Sequence, residues 1–245
     1  MKTIHVFLSP VEVGESAVEG SVAVVMDVIR ATTTMVEALA NGARAIFPTA
    51  STEEAVKLAS SLGRGDTLLC GERKGLKVQG FDLGNSPAEF TSNVVGGKQL
   101  VMSTTNGTRA FMAAEGSTRV LAASFLNLSA VVKAVREEES LLIVCAGKEN
   151  RFSLDDALCA GSLLTALTAL EPVDLLLNDA ARMVLDLASL HEVDADFLAS
   201  TAAGRALAEV GLERDLDVCA VRDRYTLVPE MRSRKISLPL SKERG

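Results

Sequence analysis

The segment Val22–Thr34, with the sequence VAVVMDVIRATTT, joins a strand-like apolar run to a helix start through one charged turn. A near-continuous apolar run is typical of a parallel strand that is buried on both faces, so we predict a strand over Val22–Asp27. The pattern of Thr34–Ala40, closed by Asn41 and Gly42, predicts a helix directly afterwards. A strand that feeds straight into a helix is the first half of a βαβ unit, which restricts the chain to folds with a parallel sheet.

The same alternation of strands and helices continues along the chain. Further strands are predicted over Ile4–Leu8, Ala43–Phe47, Thr67–Cys70, Lys98–Ser103, Arg119–Ala122 and Leu141–Cys145, with short β segments over Arg224–Val228 and Lys235–Leu238. Further helices are predicted from Ser51 to Leu62, after Arg109 as far as Ala114, over Leu126–Glu138, from Ser153 to Leu170, and over Val173–Leu190 and Ala195–Glu209. We therefore expect a single α/β domain over residues 1–245 with three layers. Its mostly parallel sheet carries helices on both faces, and its C-terminal part is mainly helical with short β segments.

Charge and cysteine usage narrow the class of protein. The net charge is −7, which argues against a nucleic-acid partner because such proteins usually carry a basic face. No apolar run reaches the length of a membrane span, so no membrane partner is predicted. The four cysteines (Cys70, Cys145, Cys159 and Cys219) lie far apart, and the N-terminus lacks a signal-peptide pattern. Both features predict a cytoplasmic protein with reduced cysteines, and they leave open whether it forms a homo-oligomer.

A long glycine-rich loop over Gly71–Pro87, with the sequence GERKGLKVQGFDLGNSP, interrupts the alternation. Loops of this length inside a compact domain are usually functional or disordered, and Val78 and Phe81 favour an ordered one. The loop leads into SPAE, a capping-box pattern that Ser86 begins and Glu89 completes. We expect the Ser86 hydroxyl to accept from the Glu89 N–H and the Glu89 side chain to reach back.

Three predicted strands end in the same way, with an apolar run, a polar loop that contains an arginine, and a helix start. The arginines are Arg30, Arg109 and Arg151. Because ligands of parallel sheets bind beyond the carboxyl ends of the strands, we expect these loops to meet at one edge of the sheet. Three cationic side chains and three helix N-termini at one edge of an acidic protein predict a site for a small polyanionic substrate.

The segment Ser103–Thr108, with the sequence STTNGT, is the strongest candidate for a phosphate-binding loop. Its Asn106-Gly107 pair favours a turn with positive φ, in which successive backbone N–H groups can point at one anion. Four hydroxyls and one amide in six residues exceed what an ordinary helix cap requires.

Carboxylates follow two of the strands and one lies in the long loop. Asp27 and Glu72 directly follow apolar runs, and Asp82 lies in the glycine-rich loop, so these three are the candidate Mg²⁺ ligands. Asp155 and Asp156 are weaker candidates, because acids in the first turn of a helix also complement its dipole. Neither histidine lies in a polar cluster, which argues against zinc.

Other phosphatase patterns provide alternatives. Asp27 is followed two residues later by Ile29, so the D-x-D pattern of haloacid-dehalogenase-type phosphatases is absent. Cys145 and Arg151 have the C-x₅-R spacing of a cysteine phosphatase loop, and a helix N-terminus and an arginine both favour a thiolate there. That mechanism remains an alternative, and so does a non-catalytic anion-binding module with the same loops.

Four segments of the chain resemble the 2-phosphosulfolactate phosphatase family. They are DVIRATTT (Asp27–Thr34), GERKGLKVQGFDLGNSP (Gly71–Pro87), STTNGTRA (Ser103–Ala110) and CAGKENRFSLDDALCAG (Cys145–Gly161). The resemblance implies an α/β fold and the activity of that family, which is Mg²⁺-dependent hydrolysis of the phosphate ester of 2-phospho-3-sulfolactate in coenzyme M biosynthesis. The substrate carries a phosphate, a carboxylate and a sulfonate, which suits the arginine-containing loops.

The motifs and the resemblance together predict a role for each candidate residue. Asp27 and Arg109 are the expected catalytic residues, and Asp27, Glu72 and Asp82 are the expected Mg²⁺ ligands. The expected substrate-binding residues are Arg30, Thr32, Thr33, Ser103, Thr104, Thr105, Asn106, Gly107, Lys148 and Arg151. We expect in-line attack by a water that the metal activates, with attack by Asp27 through a phosphoaspartate as the alternative.

Overall fold

The computed structural model describes residues 2–63, 65–170 and 174–239. The strands are β1 (Lys2–Phe7), β2 (Val22–Met26), β3 (Ala45–Pro48), β4 (Thr67–Arg73), β5 (Leu76–Lys77), β6 (Gln99–Ser103), β7 (Arg119–Ala123), β8 (Ser140–Cys145), β9 (Leu175–Leu177), β10 (Glu230–Arg232) and β11 (Lys235–Ser237). The α-helices are α1 (Glu15–Val18), α2 (Ala31–Ala40), α3 (Thr52–Leu62), α4 (Ser92–Val95), α5 (Gly107–Ala113), α6 (Leu128–Val135), α7 (Leu154–Leu170), α8 (Asp179–Leu190), α9 (Ala195–Ser200), α10 (Ala202–Glu209) and α11 (Asp215–Cys219). Short 3₁₀ helices cover Pro10–Glu12, Pro87–Glu89 and Phe125–Asn127.

Strand β2 lies inside the sheet and buries both of its faces. Val22, Val24 and Met26 belong to one apolar cluster, whereas Ala23 and Val25 belong to another. Its neighbours β7 and β8 both run parallel to it. This double burial is what the continuous apolar run predicts.

All eleven strands described form one sheet in the order β5-β4-β6-β3-β11-β10-β7-β2-β8-β1-β9. One parallel block comprises β7, β2, β8, β1 and β9, and a second comprises β3, β6 and β4. The antiparallel hairpin of β10 and β11 joins the two blocks. A mostly parallel sheet with helices on both faces confirms the predicted fold class, while the prediction of a single domain stays a prediction.

The strands of the two blocks run in opposite directions, because three successive antiparallel pairings separate β7 from β3. In a simple parallel sheet the carboxyl ends of β2 and β6 would lie at the same edge. Here the two strands run in opposite directions, so that explanation does not apply. They approach each other because α2 and α5 pack against one face of both blocks. Met35 of α2 and Phe111 of α5 share an apolar cluster with Val25 of β2 and Met102 of β6.

The opposite face of the sheet carries other helices. Residues of α6, α7 and α8 cover the larger block, where Val131, Leu163 and Val184 are completely buried. Helix α3 covers the smaller block through Ala55 and Ala59. Among the residues that the structure describes, no helix combines the length and apolar character that crossing a membrane requires.

The C-terminal part differs from the predicted pattern in two places. A helix is predicted over Val173–Leu190, but the chain first forms β9, which pairs with β1, and α8 begins only at Asp179. Val173 itself lies outside the described residues. The predicted helix Ala195–Glu209 is divided at Thr201, whose hydroxyl accepts a hydrogen bond from the Gly204 N–H at 3.0 Å and caps α10.

Two further local predictions are wrong. The segment Arg224–Val228 is not a strand, and the strand that pairs with β7 is Glu230–Arg232. The capping box is also absent, because the Ser86 hydroxyl donates to Asp215 at 2.6 Å and Glu89 accepts from the Gly84 N–H. Tertiary partners thus replace the local pair that the SPAE sequence predicts.

Candidate active site

A cavity of about 660 Å³ lies where the loops after β2, β4, β6 and β8 meet helix α10. Its charged lining residues are Asp27, Glu72, Asp155, Asp156, Arg30, Arg73, Lys74, Lys148, Glu149 and Glu209. Its polar lining residues are Asn85, Thr104, Thr105, Asn106 and Ser153, and its apolar ones include Ile29, Ala203, Ala206, Leu207 and Val210. The cavity therefore combines carboxylates, cations and one apolar wall.

Asp27 directly follows β2, and its side chain is buried. The Oδ1 atom accepts a hydrogen bond from the Ala31 N–H at the start of α2, at 3.2 Å. The Thr32 hydroxyl fixes the Asp27 backbone, since it accepts from the Asp27 N–H at 3.0 Å and donates to the Asp27 carbonyl at 2.9 Å. Within the described ranges no residue donates a hydrogen bond to Oδ2, so this oxygen is available to a ligand.

Three buried aspartates give the cavity a concentrated negative charge. Burial raises the pKa of Asp27 to about 7, and the charges of Asp155 and Glu72 add to the rise. Burial also raises the pKa of Asp155, and burial together with Asp155 and Asp27 raises the pKa of Asp156 well above its ordinary value. Mutual repulsion of this kind is relieved by a proton or a cation.

Asp156 connects the loop after β2 to the loop after β8 through hydrogen bonds. Its carboxylate accepts from the Val28 N–H at 2.8 Å and from the Gly147 N–H at 2.9 Å. Both of its oxygens therefore hold the backbone that follows β2 and β8. Asp155 is held in place as well, since its Oδ1 accepts from the Ser153 hydroxyl.

Glu72 ties the glycine-rich loop to the predicted phosphate-binding loop. It accepts from the Thr105 N–H at 2.7 Å and from the Gly75 N–H at 2.8 Å. The adjacent Arg73 is equally fixed, because it donates to the Glu72 carbonyl at 2.7 Å, the Ser103 carbonyl at 3.1 Å and the Ser103 hydroxyl at 2.9 Å. Arg73 is thus a rigid cation at the cavity.

Only some residues of the predicted phosphate-binding loop line the cavity. Ser103 is fully buried and does not line the cavity, and its hydroxyl accepts from Arg73. Thr104 lines the cavity and accepts from the Thr108 N–H at 3.3 Å. The Thr105 hydroxyl is buried without a hydrogen-bond partner in the described part of the chain, so it is free to bind a ligand. Asn106 accepts from the Glu149 N–H at 3.2 Å.

Gly107 is required by a close approach and not by a positive φ. A Cβ at this position would lie 2.8 Å from Asp27 Oδ2 and 2.7 Å from the Ala31 Cβ. Gly107 begins α5, and Asn106 has φ −117° and ψ −50°, so the predicted turn with positive φ is absent. The absence of a side chain at Gly107 lets α5 reach the Asp27 carboxylate.

Of the predicted substrate-binding residues that follow β2, only Arg30 lines the cavity. Arg30 lines the cavity, donates to Asp215 at 2.7 Å and donates to the Gly75 carbonyl at 2.7 Å. Thr32 and Thr33, which are predicted to bind substrate, do not line the cavity. Their hydroxyls donate to the carbonyls of Asp27 and Val28, so they stabilise the turn before α2.

Three further predicted site residues, all of them charged, also lie outside the cavity. Arg109 is exposed and donates to the Asn150 side chain at 3.1 Å. Arg151 is exposed and contributes its backbone to a turn with Lys148. Asp82 is exposed, and its carboxylate accepts from the Leu69 N–H at 2.7 Å. These three side chains therefore do not join the other predicted site residues at the cavity, and their roles stay predictions.

The residues that sequence reasoning missed come mainly from two places. Arg73, Lys74 and Asn85 belong to the glycine-rich loop, where only the unusual length of the loop indicates a function. Helix α10 contributes an apolar wall at positions 203, 206, 207 and 210, which recur at helical spacing. Lys148, a predicted substrate-binding residue, lines the cavity and donates to the Ala202 carbonyl at the start of α10 at 3.1 Å.

The cysteine phosphatase alternative has no support from the geometry. Cys145, the last residue of β8, is fully buried in the apolar cluster that includes α6, α7 and α8, and it does not line the cavity. Burial raises the pKa of its thiol well above the ordinary value, with a further rise from Asp156. A thiolate is therefore disfavoured there, and Arg151 is exposed at the surface.

The carboxylates at the cavity suit a metal ion that substrate and water also hold, as is usual for Mg²⁺, better than a metal ion that protein side chains alone hold. In the described ranges no three side chains of His, Cys, Asp or Glu converge as a metal cage. Mg²⁺ is usually bound by one or two carboxylates together with substrate phosphate and water. Asp27 offers an oxygen that has no partner among the described residues, and burial and its acidic neighbours raise the pKa of its carboxyl.

Comparison with known proteins identifies the family. The profile of the 2-phosphosulpholactate phosphatase family matches residues 7–234. A protein from Thermotoga petrophila is 40% identical over 217 residues, which cover 88% of this chain and 91% of the relative. Proteins from Clostridium acetobutylicum (37% over 228 residues, 93% and 96%) and Clostridium perfringens (38% over 237 residues, 95% of each) are similar too. All three carry the name probable 2-phosphosulfolactate phosphatase. The chain, with its acidic and cationic cavity, belongs to the 2-phosphosulfolactate phosphatase family.

Proposed function

We propose that this protein is a Mg²⁺-dependent phosphatase that hydrolyses the phosphate ester of a small acid, 2-phospho-3-sulfolactate, to 3-sulfolactate and phosphate. Membership of the family and the names of its relatives support the reaction and the substrate. The substrate has three acid groups, and hydrolysis breaks the bond between phosphorus and the ester oxygen. The released alcohol oxygen takes up one proton.

The observation that carries this proposal is the pairing of carboxylates and cations around one cavity. The carboxylates of Asp27, Glu72 and Asp155 line the cavity, and four basic side chains line the same space. The basic residues are Arg30, Arg73, Lys74 and Lys148. A cavity with both charges suits a metal-bound polyanion, because the cation neutralises the carboxylates while the basic residues neutralise the substrate.

Mg²⁺ would be held by Asp27 and Glu72 together with substrate oxygens and water, without the exposed Asp82. When bound, Mg²⁺ would neutralise charge on the phosphoryl group and lower the pKa of a water. Glu72 already accepts two backbone hydrogen bonds and Asp27 accepts one, so Asp27 has the greater remaining capacity for a ligand.

The protein's own residues bind and orient the ester. Arg73, which three hydrogen bonds hold in place, takes the charge-stabilising role that the sequence assigns to the exposed Arg109. Thr104, Thr105 and Asn106 contact the phosphate, and the unpartnered Thr105 hydroxyl is free to donate to it. Lys148 and Arg30 attract the remaining acid groups. Attack by water is our proposed mechanism, and attack by Asp27 Oδ2 remains the alternative.

A phosphate-release screen tests the proposal. Small phosphorylated acids, 2-phospho-3-sulfolactate among them, are incubated with the protein in Mg²⁺ and in EDTA. We expect release of phosphate from 2-phospho-3-sulfolactate in Mg²⁺ only. Binding of these acids without any release would show a non-catalytic module, and equal release in EDTA would show that the metal assignment is wrong. Recovery of a phosphorylated protein during turnover would favour the Asp27 nucleophile.

A further inference from the structure

Asn85 is a buried residue at the cavity whose amide oxygen has no hydrogen-bond partner among the described residues. The residue lines the cavity and is only 4% exposed. Its Oδ1 is buried and has no hydrogen-bond partner in the part of the chain that the structure describes. Buried polar atoms in native proteins are nearly always paired, and an unpaired one destabilises the fold. Such an amide is therefore expected to meet a ligand.

The backbone around Asn85 is held in place on both sides. The Thr34 hydroxyl donates to the Asn85 carbonyl at 2.9 Å, which anchors the loop to α2. The hydroxyl of the next residue, Ser86, donates to Asp215 Oδ1 at 2.6 Å. The amide is thus presented to the cavity by a fixed loop, and little ordering remains to be done when a ligand binds.

Asp215 links this loop to Arg30. Its Oδ2 accepts from Arg30 at 2.7 Å, while its Oδ1 accepts from Ser86. Both Arg30 and Asp215 are buried, at 4% exposure each, and Arg30 also donates to the Gly75 carbonyl. These contacts use only part of the five N–H donors of a guanidinium, so further donors remain for a ligand. One carboxylate therefore orients the cation at the cavity and the loop that carries Asn85.

We propose that Arg30 and Asn85 together form the subsite for one of the two acid groups of the substrate that are not transferred, and that Asp215 positions both. This inference rests on the proposed function, because it assigns one part of the substrate to one part of the cavity. An ionised carboxylate or sulfonate offers only acceptors, so it meets the amide through Nδ2. Rotation of the amide by 180° exchanges its oxygen and nitrogen with no change of shape, and it brings the donating Nδ2 to the position where Oδ1 has no partner among the described residues.

Two ligands separate this subsite from the phosphate-binding part of the cavity. Calorimetric titrations in Mg²⁺ measure binding of 3-sulfolactate, which has both non-transferred acid groups, and of inorganic phosphate, which has neither. In Asn85→Ala we expect the Kd of 3-sulfolactate to rise by about tenfold or more, as for a lost hydrogen bond to a charged group. The Kd of phosphate should change by less than about twofold, within the scatter of surface substitutions.

Asn93→Ala is the matched control, because Asn93 is exposed in α4 and does not line the cavity. It should leave both Kd values unchanged. If Asn85→Ala binds 3-sulfolactate as the wild type does, or weakens both ligands equally, the inference is overturned. Failure of the proposed function is a separate result, because it appears as wild-type protein that binds these ligands but releases no phosphate from the ester.

Asp215→Asn tests the positioning role, since it keeps the shape of the side chain and removes its charge. We expect the same selective loss of 3-sulfolactate binding. Ser86→Ala removes only the hydroxyl that holds Asp215, and it provides the same test if Asp215→Asn does not fold. Unchanged selectivity in a folded variant at either position would show that Asp215 has no positioning role.

Discussion

Gly107 lies so close to Asp27 that a Cβ at Gly107 would stand 2.8 Å from the Asp27 Oδ2 atom. This approach joins the start of α5 to the carboxylate that follows β2. It depends on the packing of α2 and α5 against both blocks of the sheet, and it explains why a glycine occupies a helical position.

Gly107→Ala should disturb the site at its centre. The added methyl group would meet Asp27 and Ala31, so we expect kcat/KM to fall by about 100-fold, as small displacements of reacting groups do. The free energy of unfolding should fall by about 1–3 kcal/mol, as in other overpacked cores. Gly14→Ala is the control, since no atom of the described residues lies within 4 Å of a Cβ there. Normal turnover in Gly107→Ala would contradict the placement of Asp27 in the reaction.

Asp27→Asn should abolish turnover and retain the fold. The substitution keeps the shape of the side chain but removes the charge that a cation or a phosphorus atom requires. Phosphate release and far-ultraviolet circular dichroism measure the two effects. A variant with near-normal activity would show that Asp27 is neither a metal ligand nor a nucleophile.

The stability of the metal-free protein should depend on pH through Asp27. Its pKa is raised from 3.8 to about 7, so below pH 4 the folded and unfolded states are both protonated. As the pH rises from about 4 to 7, the unfolded chain loses the proton first, and the folded state becomes less stable. The effect is at most a few kcal/mol, at about 1.4 kcal/mol per pKa unit.

Urea denaturation in EDTA at pH 5 and pH 7.5 measures this dependence. Asp27→Asn should gain stability relative to the wild type at pH 7.5 and gain less at pH 5. Asp155 and Asp156 have pKa values raised in the same direction, so part of the dependence should persist in the variant. An equal difference at both pH values would contradict the raised pKa of Asp27.

Arg73→Lys and Arg109→Lys form a matched pair. Arg73 lies at the cavity and makes hydrogen bonds that a lysine cannot reproduce. The kcat/KM of Arg73→Lys should therefore fall by about 100-fold, as when one charge-stabilising donor is lost. Arg109 is exposed, and its variant should keep activity within about twofold, as surface substitutions do. The reverse order of effects would return the charge-stabilising role to Arg109.

Thiol alkylation should spare the native enzyme. All four cysteines are buried, and burial raises the pKa of each thiol. Iodoacetamide should therefore leave phosphate release unchanged over the time in which it inactivates a cysteine phosphatase. Cys145→Ala should also remain active. Loss of activity in that variant, with the fold intact, would revive the cysteine mechanism.

Local sequence information is sufficient where neighbouring residues decide the structure. The apolar run of β2 and the Ser51 cap of α3, where the hydroxyl accepts from the Glu54 N–H at 3.1 Å, follow from residues a few positions apart. Prediction fails where a distant group competes for the same side chain. Ser86 has a suitable local partner in Glu89, but Asp215 takes its hydroxyl.

The sequence by itself determined the alternating α/β pattern, the family, and the strand-end position of Asp27. These features depend on periodic burial and on contiguous motifs, which are visible without knowledge of distant contacts. Only the tertiary structure decided which of the arginines reach the cavity. Arg30 and Arg73 are held there by Asp215 and Ser103, far along the chain, whereas Arg109 and Arg151 are exposed. A long charged side chain can point either way from a loop, and only the packing around it selects the direction.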